Sequence, residues 1–316
     1  MRYKMFGKTG MKVSELCLGT WGIGGVGWYE QSEDTRADAI RAAVEHGVTF
    51  IDTAPAYNSG AAERLLGKAL EDMGARKDVV ISTKCGNVFV DASTYVRDGS
   101  AGTIRRQCEE SLRNLRTDYI DLYLVHWPDP KTPFEETMST LARLKQEGKI
   151  LHVGVSNFSQ AQMEEAGQYC PIEALQPQYS MVARGSEDLI HWAAGQGMGV
   201  MAYGAMGGGI LTGAYRQLQT FAPSDSRNRF YKHFQEPMFS KIMELLKVMD
   251  RISEQRGGTP LAQIALNWTA QKDDISACIV GAQSRAKVEQ NCAAFDWSLS
   301  PEETAMLDQA VHQYLD

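Results

Sequence analysis

Residues 15–27 read ELCLGTWGIGGVG, an apolar run that breaks into glycines at a Thr-Trp pair. The apolar part, 15–20, has the length and bounding turn residues of a buried strand. Two architectures begin this way. An open doubly wound sheet would want a G-x-G-x-x-G turn opening a helix, with an acidic residue about 20 positions later. This stretch has the glycines, but no helical pattern follows them directly. A closed barrel makes no such demand.

Working outward, similar short apolar runs recur at 48–53, 78–84, 119–126, 150–156, 173–179, 199–204 and 275–282. Helix-like stretches separate them, among them 33–46, 61–73, 102–116, 134–147 and 159–168. Ser32 before Glu33-Asp34, Gly47 after His46 and Gly148 after ARLKQE are start and stop signals. Strands that alternate with helices pair in parallel through right-handed crossovers. Eight strands also close a barrel whose interior side chains fill. The expected fold is therefore α/β, a (β/α)8 TIM barrel, with residues 1–316 as a single domain. The opening RYKMFGKTGMKVSE reads as a β-hairpin turning at Lys8-Thr9-Gly10 and plugging one barrel end. An extra C-terminal helix from about Pro301 is expected outside the barrel. Between Gly204 and a helix near Phe239 lies an irregular insertion of the kind that is functional or mobile.

The 316 residues, 43% hydrophobic, suffice for a large core, and the net charge of −7 argues against wholesale nucleic-acid binding. Six scattered cysteines without a CxxC read as reduced thiols, which suggests a cytoplasmic protein. The charged first twenty residues leave no room for a signal-peptide core. The charge-poor stretch 197–215 is glycine-rich, so it reads as a strand running into a glycine loop rather than a membrane span. No metal site is expected, because only His126 of the six histidines falls at a strand end.

Strand ends face the catalytic mouth of such a barrel. Asp52, Lys84, His126 and Ser156-Asn157 end strands two to five, Gln178 follows strand six, and Tyr203 ends strand seven. Tyr57 stands just beyond Asp52 in FIDTAPAYNSG (50–60). Each residue alone has an ordinary explanation as a cap, a snorkelling cation or a packed ring. Together they suit one chemistry. A phenol is too weak an acid at neutral pH, and an adjacent ammonium is expected to lower its pKa. Asp52 supplies the countercharge that Lys84 needs near apolar walls. A histidine imidazole donates to a carbonyl oxygen whose charge grows during attack. Asp52, Tyr57, Lys84 and His126 thus form a general acid with its tuner, anchor and electrophilic helper. Hydride delivery to a carbonyl with proton delivery to its oxygen needs this set. A Schiff-base lyase on Lys84 and a cofactor-sensing protein with little turnover are the alternatives.

The motifs IDTAPAYNSG, STKCG, LVHW, GVSNF, QPQYS and IVGAQSRAKVEQN resemble those of the aldo-keto reductase superfamily over nearly the whole chain. The subgroup resembled is that of bacterial reductases of small aldehydes, methylglyoxal-type enzymes included. The resemblance implies NAD(P)H-dependent reduction of a small aldehyde, ketoaldehyde or open-chain sugar, with NADPH preferred and NADH as the alternative. It implies cofactor contacts from Gly19, Thr20, Trp21, Asp52, Ser156, Asn157 and Gln178, with Tyr203 stacked on the nicotinamide. It further implies contacts from Gly204, Ala205, Met206, Gly208 and Leu211 near the pyrophosphate, and from Gly281, Gln283, Ser284, Lys287, Gln290 and Asn291 at the adenosine end. Ser284 precedes a helical run, so with Arg285 and Lys287 it reads as an anion site suited to a 2′-phosphate.

The substrate pocket is expected from Trp21, Trp28, Tyr57, Phe89, His126 and Trp127, an aromatic wall with a few polar groups. Cys85 reads as a buried small residue, with the cavity as the other option. Arg227 and Arg229 in the long loop are either a clamp on cofactor phosphates or an anionic substrate, or solvated charges. No nucleic-acid or membrane partner is expected, and the sequence leaves monomer and homo-oligomer open.

Overall fold

The computed structural model describes residues 1–25, 31–89, 94–222, 225 and 227–316, without the side chain of Arg229. Trp28 and Tyr29 lie outside the described residues.

Eight parallel strands close into the expected barrel. In chain order they are β3 (Leu16–Gly19), β4 (Phe50–Asp52), β5 (Val80–Cys85), β8 (Ile120–Val125), β9 (Ile150–Ser156), β10 (Ala174–Gln176), β11 (Gly199–Tyr203) and β12 (Ala277–Gly281). β12 returns to pair with β3, Gly281 against Gly19, and this completes the ring. Alternate residues point inward. Cys17, Phe50, Leu122, Leu124, Ala174, Met201 and Ala277 fill the interior as one apolar cluster. The opposite faces of the strands pack against the helices in a second, larger cluster.

The N-terminal strands β1 (Tyr3–Met5) and β2 (Lys12–Ser14) form the antiparallel plug. Phe6 is fully buried and meets Phe50 edge to face at 5.3 Å. A Cβ on Gly199 would lie 2.4 Å from the Phe6 ring, so glycine there lets the plug seat. Phe50 and Gly199 both begin strands, so the plug closes the end where strands start and leaves the other end open.

The helices begin and stop where side chains satisfy their free ends. In α1 (Glu33–Glu45) the Ser32 side chain accepts from Thr35 N. α2 (Ala61–Met73), α3 (Ala101–Leu115) and α4 (Phe134–Gln146) follow within about a residue of the sequence reading, α5 (Gln160–Ala166) ends two residues short of it, and α6 (Glu187–Gly195) is one for which the sequence reading gave no range. The expected strand 173–179 is shorter, ending at Gln176, because Pro177 has no N–H to continue the ladder. A hairpin not expected from sequence, β6 (Asn87–Phe89) with β7 (Tyr95–Arg97), follows β5. The insertion after β11 holds a short helix, α7 (Arg227–Phe230), before α8 (Met238–Gln255) and α9 (Leu261–Ala270). α10 (Arg285–Cys292) follows β12, and α11 (Pro301–Leu315), capped by Ser300 and Glu303, packs on α8 outside the barrel. Among the described residues no helix is long and apolar enough to cross a membrane.

Candidate active site

At the open end, Lys84 is completely buried. Its Nζ lies 2.8 and 2.7 Å from the two Asp52 oxygens, 2.8 Å from the Thr53 carbonyl and 3.2 Å from the Tyr57 hydroxyl. β4 and β5 are adjacent in the barrel, which aligns the two charges. Tyr57 reaches back from the turn after β4, where Asn58, Ser59 and Gly60 all take left-handed backbone angles to bend the chain into α2. Such angles are strained for Asn and Ser, and Asn58 is pinned by its side-chain amide on the Gly24 carbonyl at 2.8 Å.

An ammonium donates and never accepts. Because it donates to Tyr57, the phenol oxygen is the acceptor and its own proton points away from the lysine. Asp52 is held further by Ser82 Oγ at 3.0 Å and Gln176 Nε2 at 2.9 Å, so the buried carboxylate is fully engaged. A buried pair with this many hydrogen bonds is costly to break on one side, roughly 3–5 kcal/mol.

The expected lowering of the Tyr57 pKa is not met. Burial pushes the phenol above its ordinary value, and Lys84 offsets this only in part, while Asp52 adds to the rise. The phenol therefore stays protonated through neutral pH. Burial would lower the Lys84 pKa, but Asp52 and Tyr57 outweigh it and the ammonium is held charged. His126, immediately after β8, has its pKa pushed well below the ordinary range by burial and then by Lys84, so its ring is neutral. The Tyr57 and His126 rings meet at 87° with centroids 6.3 Å apart.

Residues at the ends of β9 and β11 are tied to this group. Asn157, with a left-handed φ of 62°, donates to Ser156 Oγ at 2.9 Å and to the His126 carbonyl at 3.0 Å. Its Oδ1 accepts from the Tyr203 hydroxyl at 3.1 Å. Ser156 Oγ donates to the Gln176 carbonyl at 2.8 Å. Gln176, not singled out by the sequence reading, is thus the strand-six residue that meets the tetrad. Strand alternation marks it, since Ala174 faces the interior and Gln176 is two residues on. Gln178 lies beyond the strand, opposite Tyr203, with its side chain beside Gly204.

Around Ala205, Met206 and Leu211 the residues Gly204, Gly207, Gly208 and Gly209 all have positive φ, a path glycine takes without strain, but Val182 and Tyr231 already fill the space beside Gly207 and Gly208. One feature of the mouth fits an extended dinucleotide. Thr20, next to Gly19 and Trp21, has a fully buried Oγ1 without a hydrogen-bond partner among the described residues. At the adenosine end, Ser284 is the extended N-cap of α10 and makes no side-chain cap bond. Lys287 Nζ lies 3.0 Å from Gln290 Oε1, Gln283 Nε2 bonds the Gly22 carbonyl at 2.7 Å, and Asn291 is buried. Arg285 is a correction: it turns to Asp38 at 2.8 Å and Glu45 at 2.7 Å on α1, because two carboxylates outcompete solvent for it.

Trp21 stacks on Tyr57 at 6.4 Å and meets Phe230 of the long loop edge to face at 5.4 Å. Tyr231 lies against Gly208, 2.8 Å from where a Cβ would stand. These loop aromatics have no sequence rule that would have found them. Phe89 is on the β6–β7 hairpin, and Trp127 sits beside His126 with the Arg97 guanidinium 4.7 Å from its ring centroid. Cys85 faces the helices with Cys108 and Tyr123, not the cavity, and burial pushes its thiol up. Arg227 is buried rather than solvated. It pairs with Asp225 at 2.5 Å, bonds the Tyr215 hydroxyl and lies 4.2 Å from the Phe221 ring centroid.

The sequence profile described as Aldo/keto reductase family matches residues 15–312. An aldo-keto reductase of Bacillus subtilis is 35% identical over 96% of this chain and 91% of its own. The NADH-specific methylglyoxal reductase of Escherichia coli is 31% identical over 95% of each. Among solved structures, the glycerol dehydrogenase of Gluconobacter oxydans superposes with a TM-score of 0.88 at 34% identity, covering 96% of this chain and 93% of that one. With a closed parallel barrel, a lysine–aspartate–tyrosine cluster at its mouth and these matches, the chain belongs to the aldo/keto reductase family and is an oxidoreductase acting on carbonyl compounds with a nicotinamide cofactor.

Proposed function

We propose that this enzyme reduces a small aldehyde, ketoaldehyde or open-chain sugar to its alcohol, with Tyr57 as the general acid. The observation that carries the reading is the 3.2 Å bond from Lys84 to the Tyr57 oxygen, which leaves the phenolic proton aimed away from the lysine. A bound reduced nicotinamide supplies the hydride. Tyr57 donates its proton to the carbonyl oxygen, and Lys84 stabilises the phenolate left behind, with Asp52 keeping the lysine charged and in place. The neutral His126 ring donates a hydrogen bond to the same oxygen as its charge develops. Being far from protonation, it leaves the proton donation to Tyr57.

In this reading Ser156, Asn157, Gln176 and Tyr203 hold the nicotinamide end, with the glycine loop at the pyrophosphate. NADPH is the preferred cofactor in this reading, through Ser284 and Lys287, and NADH is the alternative. The Escherichia coli relative's NADH specificity keeps that alternative open. The methylglyoxal and glycerol relatives support a small polar carbonyl substrate. Residues 1–316 act as one domain, and the six unpaired thiols suit a reducing, cytoplasmic setting.

Replacing Tyr57 by Phe tests the assignment in a panel of aldehydes that includes methylglyoxal. The expected result is a fall in kcat of at least about 10²-fold with dinucleotide affinity nearly unchanged. Full activity in that variant refutes the acid role.

A further inference from the structure

The β6–β7 hairpin brings a cation onto Trp127, in the loop that follows β8. Asn87 stands opposite Arg97 and Phe89 opposite Tyr95, so these four side chains share one face. Phe89 and Tyr95 meet edge to face at 6.2 Å. The hairpin's root is fixed by Gln107 of α3, which donates to the Asn87 carbonyl at 2.7 Å and accepts from Gly86 N at 2.8 Å. From this base the Arg97 guanidinium lies over the ring of Trp127, the residue next to His126.

Two carboxylates of the neighbouring loops, Asp98 and Asp129, are committed elsewhere. Asp98 accepts from Ser100 N at 3.0 Å and Thr103 Oγ1 at 2.6 Å. Asp129 accepts from Gly99 N, Lys131 N and Thr132 Oγ1. The exposed Arg97 side chain makes no hydrogen bond or ion pair with any described residue. An indole face restrains a guanidinium without cancelling its charge, and the planar fork then matches a carboxylate.

We propose that Arg97, held on Trp127, binds the anionic end of the substrate, so that carbonyl compounds bearing a carboxylate away from the reacting carbon are favoured. This rests on the reductase reading above, with His126 and Tyr57 marking where the carbonyl sits.

The test compares 4-carboxybenzaldehyde with methyl 4-formylbenzoate, matched in shape and differing in charge. The wild type is expected to show a higher kcat/KM for the acid, carried by KM and eroded by salt. Arg97→Met is expected to cut the acid-over-ester ratio about fivefold, the size of a partly exposed ion pair, and Arg97→Lys to restore part of it. Calorimetric titration with 4-(hydroxymethyl)benzoate and its methyl ester, in the presence of oxidised dinucleotide, reads the same preference without turnover. Reduction of the ester with no preference for the acid in either measurement overturns the subsite and leaves the reductase reading standing. Tighter binding of the acid, lost in Arg97→Met, in a protein that reduces neither of these aldehydes nor methylglyoxal supports the subsite and overturns the reductase reading.

Discussion

Lys84 has more claims on it than protons to meet them: two Asp52 oxygens, the Thr53 carbonyl and the Tyr57 hydroxyl all lie within 3.2 Å. An ammonium has no lone pair, so the phenol oxygen accepts from it and the phenolic proton points elsewhere. Burial raises the Tyr57 pKa, and the lysine's contribution is to limit that rise rather than to bring the group to neutrality. On α10 Lys287 bonds Gln290, whereas Arg285 is committed to two carboxylates of α1. Lys287→Ala is therefore expected to weaken NADPH several-fold more than NADH, measured as dissociation constants, and equal losses would remove Lys287 from the phosphate site. The tetrad was legible in the sequence because each member ends or follows an apolar run. Gln176 was obscured by Gln178, since Pro177 between them hides where the ladder stops. The commitment of Arg285 depends on a helix more than two hundred residues earlier, which no local pattern reports.

At the scale of elements, the plug and the barrel meet at Phe6 and Gly199, where a Cβ would stand 2.4 Å from the ring. Gly199→Ala is expected to destabilise the protein by about 1–3 kcal/mol, the range for overpacking a tight contact. For a chain of this size that lowers Tm by about 2–4 °C, and an unchanged melting curve would show that the plug gives way freely. The barrel strands and most helices were readable because period-2 and period-3.6 patterns alternate and Ser32, Gly47 and Gly148 punctuate them. α9 is buried along all of its residues, so it has no polar face to set a period. The β6 and β7 strands are three residues each, too short for alternation to stand out, although they carry the Arg97 rim.

For the whole molecule, closure of eight strands follows from their number and parallel pairing, and it gathers residues from β4, β5, β8, β9, β10 and β11 at one mouth. The path of the insertion that lays Phe230 on Trp21 follows from packing of side chains far apart in sequence, so no local pattern predicts it. The rate of the enzyme across pH reads the protonation states of Tyr57 and His126. The Tyr57 pKa is raised from 10.0, so the protonated acid is present at all lower pH and lost only as pH climbs past that value. The His126 pKa is lowered from 6.5, so the ring stays neutral down through that value. The decisive measurement is kcat/KM for carbonyl reduction against pH at saturating reduced cofactor. The predicted result is a plateau from about pH 6.5 to 9 with a decline above about 10, and loss of that decline in the residual activity of Tyr57→Phe. A profile that falls away between pH 7 and 8, or one whose alkaline limb survives in Tyr57→Phe, would contradict it.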